Sequence, residues 1–189
     1  MARIGLDNFR YSLLDEKEKV TTPKSFGKAI DCKVSLELNS AELYADNGLA
    51  ESDYSFKKGT VTITIDDDDD TVFAEILGHE ITDGVMVRNE ADMPPYVAMG
   101  RILTKIKNGN RKYKVEILDK VKFKDSMPDE QTLGENLEFS TPSIEGEVAK
   151  LSNGNWSRTK TFDTHEEALT FLTNELTATT PTPAKVSTK

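Results

Sequence analysis

The stretch IDDDDDTVFAEILGHE, residues 65–80, sets five consecutive aspartates before a helix-like apolar pattern and a histidine. Carboxylates so crowded can hold a divalent cation, share a proton in acid–base work, or cap a helix. A calcium loop of the helix-loop-helix kind needs alternating oxygen ligands, glycine at its sixth place and glutamate at its twelfth. Counted from Asp66, those places hold Thr71 and Leu77. Counted from Asp69, Glu80 takes the twelfth place but Phe73 falls on a ligand position. Both frames fail, and the run reads as a helix start. One of Asp68, Asp69 or Asp70, with Asp69 the middle choice, accepts the free amides, and the neighbouring carboxylates gain roughly 0.3–1 kcal/mol each from the helix dipole.

Other catalytic constellations are missing from the sequence. His79 and His165 lack HxxxH or HExxH spacing, and no GxSxG, GxxxxGK or GxGxxG occurs. Both histidines read as surface residues. No catalytic, cofactor-binding or metal-ligating residue is assigned, and the chain is expected not to be an enzyme. A hydrolase with dispersed carboxylates stays a rival, because such pairs are defined by distance rather than spacing. Asn155-Trp156-Ser157 matches a glycosylation acceptor, which has no meaning without secretion. Trp156 reads as a plug at the end of a sandwich core, or alternatively as a sugar-stacking ring of a carbohydrate-binding module.

Lys105, Lys107, Arg111, Lys112, Lys114, Lys120, Lys122 and Lys124 form a basic group in an acidic chain. A reader of single-stranded nucleic acid interleaves aromatics with its cations. Here the alternation puts Tyr113 and Phe123 on the face opposite the lysines. Edge protection, or complementarity to an acidic surface of another copy, fits better. Lys105, Lys107, Arg111, Lys112 and Lys114 are therefore assigned to an inter-subunit hairpin. Head-to-tail contacts of this kind build a ring if the rotation closes and a filament if it does not.

The elements that carry these residues are mostly strands. In residues 30–38, Ile30, Cys32, Val34, Leu36 and Leu38 alternate with polar residues, as do Val61, Ile63 and Ile65 in residues 60–65. PYVAMGRILTKIK and RKYKVEILDKVKF flank Asn108-Gly109, the pair best suited to a two-residue primed turn, so a long antiparallel hairpin is expected. A further strand region is expected over residues 135–151, broken near Thr141-Pro142. Helices are few. Val72, Phe73, Ile76 and Leu77 share a face that Gly78 can close. Near the end, Thr164 with Glu167 forms a capping box, Asp163 with Glu166 being an equally legal one, before the Leu169, Leu172 and Leu176 stripe.

With 189 residues and a net charge of −9, the composition fits one globular domain, at most two small ones, and argues against a phosphate-backbone clamp. The opening residues show no signal-peptide pattern, and no apolar run is long enough for a helical span. Cys32 is the single cysteine, so a reducing compartment is expected. Residues 177–189, TATTPTPAKVSTK, are too poor in apolar side chains to build a core and are expected to be a tail.

GLDNFRYSLL, SAELYADNGLAESDYSFKKGTVTITID, MVRNEADMPPYVAMGRI, KYKVEILDKVKF, TPSIEGEVAKLSNGNW and KTFDTHEEAL together resemble the major tail proteins, or tail tube proteins, of long-tailed bacterial viruses. The resemblance runs to about residue 176. It implies a mainly β chain, a β-sandwich or barrel with a flanking α-helix, over residues 1–176. Residues 1–20 would be an extended N-terminal arm and residues 177–189 the tail. It also implies a structural role without catalysis. Subunits form hexameric rings with a continuous inner barrel, stacked into a hollow tube through which DNA passes without specific binding. Tape measure, tail terminator and tip proteins would be partners, no membrane is involved, and assembly would take place in the host bacterial cytoplasm to give a virion tail. A tail-like bacteriocin would use the same tube. The polar inter-strand loop, residues 39–58, is expected to touch the next ring through Asn39, Glu42, Tyr44, Asp46, Glu51, Asp53, Tyr54 and Lys58.

Overall fold

The computed structural model describes residues 2–45, 48–126 and 141–177. In chain order these form β1 (Ala2–Leu13), β2 (Lys24–Ser25), β3 (Ala29–Ala45), β4 (Gly48–Ile65), α1 (Asp70–Leu77), β5 (Glu80–Thr82), β6 (Val85–Val87), β7 (Tyr96–Lys107), β8 (Asn110–Lys124), β9 (Ser143–Val148), β10 (Ser157–Phe162) and α2 (His165–Glu175). The protein is mainly β, with one large antiparallel sheet in the order β2-β1-β7-β8-β9-β4-β3, and with β10 also paired to β8. β5 and β6 make a separate small hairpin.

β8 organises the sheet. On one side it pairs with β7 along most of its length; on the other, Tyr113–Leu118 pairs with β10 and Val121–Lys124 with β9. Between those halves the register slips: Leu118 faces Met99, but Val121 faces Val97. The extra residue on β8 is a bulge at Asp119 and Lys120, and it reverses which side odd-numbered residues point to. Val115 and Ile117 therefore pack with Ala98, Ile102, Ala168, Leu172 and Leu176 under α2. Leu118, Val121 and Phe123 instead join the main core with Phe9, Tyr11, Phe26, Val61, Ile63, Ile65, Ile76 and Ile144. One face of the curled sheet thus encloses the core while the other carries α2. Gly100 lets the helix approach, since a Cβ there would lie 2.4 Å from Leu172 Cδ1.

Several local expectations are met. Asn108 and Gly109 form the β7–β8 turn with φ of 51° and 80°. Asp69 caps α1, its carboxylate accepting from Thr71 N at 2.8 Å, and Gly78 closes the helix at φ 77°. Asp66 has a different task, accepting from Lys28 N at 2.8 Å and tying the end of β4 to the start of β3. Thr164 caps α2, its hydroxyl accepting from Glu167 N at 3.3 Å. Asp163 instead pairs with Lys112. Replacing the α1 cap, Asp69→Ala, is expected to lower the unfolding free energy by about 1 kcal/mol, measured by urea denaturation.

Three expectations need correction. The N-terminal arm is, for residues 2–13, a strand within the sheet: β1 pairs with β7, and Phe9 and Tyr11 are fully buried. Its period is hidden because Asn8 (φ 53°) and Phe9 bulge opposite Arg101, moving the inward phase from Leu6 to Tyr11 and Leu13. The inter-strand segment is not a loop, for its described part is the outer half of the β3–β4 hairpin. Third, the β5–β6 hairpin is an element beyond those expected, although Asp83-Gly84, with φ of 51° and 78°, is a strong turn signal. Of the strand expected over residues 135–151, Ser143–Val148 is β9, and residues 127–140 lie outside the described residues. The expected tail lies outside them too, apart from Thr177.

Candidate functional site

The β3–β4 hairpin outruns the body of the protein. Among the described residues β9 covers β4 only along Gly59–Thr64, so beyond Glu37 and Lys58 the two strands there pair with each other alone. On its other side β3 has no strand partner among the described residues. A long free edge of this kind offers a row of unpaired amides and carbonyls to another strand.

Cross-strand pairs show which side chains share a face. Cys32 opposes Ile63 and Val34 opposes Val61, so these point inward; a bulge at Lys57 then keeps Leu38 opposite Phe56 on the same side, with Ser40 opposite Tyr54. The apolar stripe therefore starts in the core and runs out past its cover. Leu36, Leu38 and Tyr54 end up 46%, 52% and 60% exposed. Trp156 closes the covered part as a plug, stacked on Phe56 at 4.5 Å and 8° between planes.

Of the residues assigned to the inter-ring contact, Asn39, Asp53 and Tyr54 are exposed on this hairpin. Lys58 lies nearer its base, between Glu37 (3.9 Å) and Glu147 (3.4 Å). The side chains of Glu42, Tyr44 and Glu51, and all of Asp46, lie outside the described residues.

The basic hairpin is divided differently from expectation. Arg111 is exposed, and the side chain of Lys107 lies outside the described residues. Lys105 and Lys114 are half-buried and turned to the inner face, beneath β3, instead of outward to a neighbour. The reason is parity. Before the β8 bulge the even residues face inward, and after it Lys120, Lys122 and Lys124 face outward. Lys114 pairs with Glu116, Arg101 Nη2 donates to Glu116 Oε2 at 2.8 Å, and Arg3 lies 3.9 Å from Glu116 Oε1. Burial alone raises the Glu116 carboxyl, but the Lys114 hydrogen bond and the Arg101, Lys114 and Arg3 charges outweigh it and hold the group below the usual range. Arg101 Nη1 also donates to Cys32 Sγ at 2.9 Å, and burial pushes that thiol up.

His79, expected at the surface, is instead buried, with its side chain 4% exposed. Its Nδ1 lies 2.6 Å from Asp92 Oδ2, which also accepts from Asn89 N, and its Nε2 lies 3.4 Å from Asp125, itself 3.4 Å from Arg88. This clasp holds the chain after α1 against the end of β8. His165 is partly exposed, as expected, 3.1 Å from Asp7. Among the described residues no group of three or more His, Cys, Asp or Glu is arranged to hold a metal ion.

Glu18 staples the turn after β1 to the loop before β10. Its carboxylate accepts from Lys120 Nζ at 2.6 Å and Ser152 N at 2.7 Å. Those two hydrogen bonds, that from Lys120 first, lower its pKa from 4.5 to about 2. An acid with a depressed folded pKa stabilises the protein above its unfolded pKa, and that contribution fades as pH falls toward the folded one. Glu18→Gln is therefore expected to be less stable than the parent by about 1 kcal/mol at neutral pH, with the two melting curves converging as pH drops from about 4.5 to about 2.

Comparison with protein-family models gives no match, and no curated protein matches the chain. Among the described residues no helix is long and apolar enough to cross a membrane.

Proposed function

We propose that this chain is a structural subunit that completes its sheet with sister copies, and specifically a tail tube protein of a long-tailed bacterial virus. The observation that carries the reading is the β3–β4 hairpin. It combines a 17-residue edge strand, whose outer side has no strand partner among the described residues, with an apolar stripe that leaves the core and stays exposed at Leu36, Leu38 and Tyr54. An edge of that length invites aggregation in a monomer, whereas a closed ring turns each edge into an intersubunit ladder.

In this reading subunits pair around a bore as hexameric rings, and the rings stack into a tube assembled in the host cytoplasm and carried in the virion tail. The tape measure, terminator and tip proteins bound the tube, and DNA passes along an acidic lumen that repels its phosphates. The subunit performs no catalysis. The sequence resemblance to tail tube proteins supports the same conclusion.

Electron microscopy of the concentrated purified chain tests it. Hollow filaments of uniform diameter are the expected result. A chain that stays monomeric at high concentration, even with tail initiator components present, overturns the proposal.

A further inference from the structure

Beneath the base of the hairpin, four cations share one carboxylate: Arg3, Arg101, Lys105 and Lys114 gather around Glu116. The side chains of Arg3, Arg101, Lys114 and Glu116 line a cavity of about 340 Å³ together with Val34, Leu36, Trp156, Ser157 and Thr159, and Lys105 lies close enough to feel the charges of Lys114, Arg3 and Glu116. The side chain of Arg101 is only 8% exposed and that of Lys114 21%. Positive charge held this far from bulk water is costly unless it is matched. Glu116 can match only one of these two, and the half-buried Lys105 adds a third charge, while Arg3 is 63% exposed and stays solvated.

The donors are unevenly spent. Arg101 is committed, with one guanidinium nitrogen on Cys32 and the other on Glu116. Lys105 makes no ion pair among the described residues, and its ammonium is pushed down by burial and then by the like charges of Lys114 and Arg3. Arg3 reaches Glu116 only at 3.9 Å. The free donors are thus Lys105, Arg3 and the remaining hydrogens of Lys114, beside the hydroxyls of Ser157 and Thr159.

We propose that this cleft binds a small phosphate-class oxyanion, held by Arg3, Lys105 and Lys114 above a floor made by the Arg101–Glu116 pair. A multivalent oxyanion accepts several charge-assisted hydrogen bonds at once and offsets more than one cation. A lone carboxylate from another chain would leave most of the excess in place. A nucleic-acid strand is disfavoured because Trp156, the one aromatic residue lining the cavity among the described residues, is already stacked on Phe56. The inference is independent of tube assembly, since every group belongs to one copy.

The test titrates the full chain, dispersed as a monomer, with inorganic phosphate at an ionic strength held constant with sodium chloride, read by calorimetry and thermal melting. Phosphate is expected to bind saturably and to raise the melting temperature, as any ligand of the folded state must. Lys105→Gln and, separately, Lys114→Gln should each weaken binding about tenfold or more, the loss of one charge-assisted contact. Glu116→Gln should tighten binding by removing the competing carboxylate, a gain that mere damage to the fold would not produce. Arg111→Gln, on the exposed hairpin, should leave it unchanged. The proposal is overturned if phosphate does no more than matched chloride, or if binding is indifferent to Lys105 and Lys114. It is equally overturned if phosphate leaves the monomer untouched while Lys105→Gln abolishes self-association, which would assign the cleft to an acidic side chain of a second copy.

Discussion

A Leu38→Lys, Tyr54→Lys double variant is expected to form no filaments while melting within a degree or so of the parent chain. Both side chains sit on the outer part of the hairpin, 52% and 60% exposed, on the face continuous with the core. Within one copy they touch too little for their loss to matter, and surface substitutions of this kind usually stay within about 0.5 kcal/mol. In an assembly each would be buried, and covering a leucine or an aromatic side chain contributes roughly 1.5–3 kcal/mol. Lysines at both places would remove that gain in every interface and bring like charges together there, so the effect would repeat with each added subunit. Light scattering coupled to size-exclusion chromatography, with negative-stain microscopy, reads the outcome. Filaments of normal length from the double variant would show that this stripe is not the joint.

Gly78→Val is expected to cost about 3 kcal/mol or more, the largest loss of stability foreseen for a single change. Two separate penalties meet at this position. The backbone has φ 77°, where a β-branched side chain is strained by about 1–2 kcal/mol. A Cβ would also lie 2.5 Å from Met93 O and 2.9 Å from Met93 C, backbone atoms that cannot swing aside. Overpacking of that sort adds roughly 1–3 kcal/mol. Gly84 provides the control, having nearly the same φ, 78°, but nothing within 4 Å of the place a Cβ would take. Gly84→Val should therefore show the strain alone, about 1–2 kcal/mol. Urea denaturation of both variants separates the terms, and equal losses would mean that the contact with Met93 relaxes freely.

Gly78 marks the boundary between what is legible in the sequence and what is not. Gly78 can be recognised as a helix stop from its place after an apolar helical face, because the requirement for positive φ is a property of the residue itself. That its missing Cβ also makes room for Met93 cannot, since the two are brought together only by packing. Asp69, Thr164 and Asn108-Gly109 belong with the first kind: caps and tight turns are settled by hydrogen bonds and backbone angles within a few residues.

By itself, then, the sequence determined a chain of alternating strands, the position of the long β7–β8 hairpin, the two helices with their caps narrowed to a few residues, and the absence of any familiar catalytic spacing. Tertiary structure alone decided which side is the inside where a bulge interrupts a strand. The bulge at Asn8 and Phe9 concealed β1, and the bulge at Asp119 and Lys120 turned Lys114 and Glu116 inward while sending Lys122 and Lys124 outward. A one-residue slip in a period of two exchanges the faces, and nothing in the local composition announces it. The outer part of residues 39–58 reads as a loop because its pattern is polar and weakly periodic; it is a strand pair because each arm supplies hydrogen-bond partners to the other across a separation that composition cannot encode.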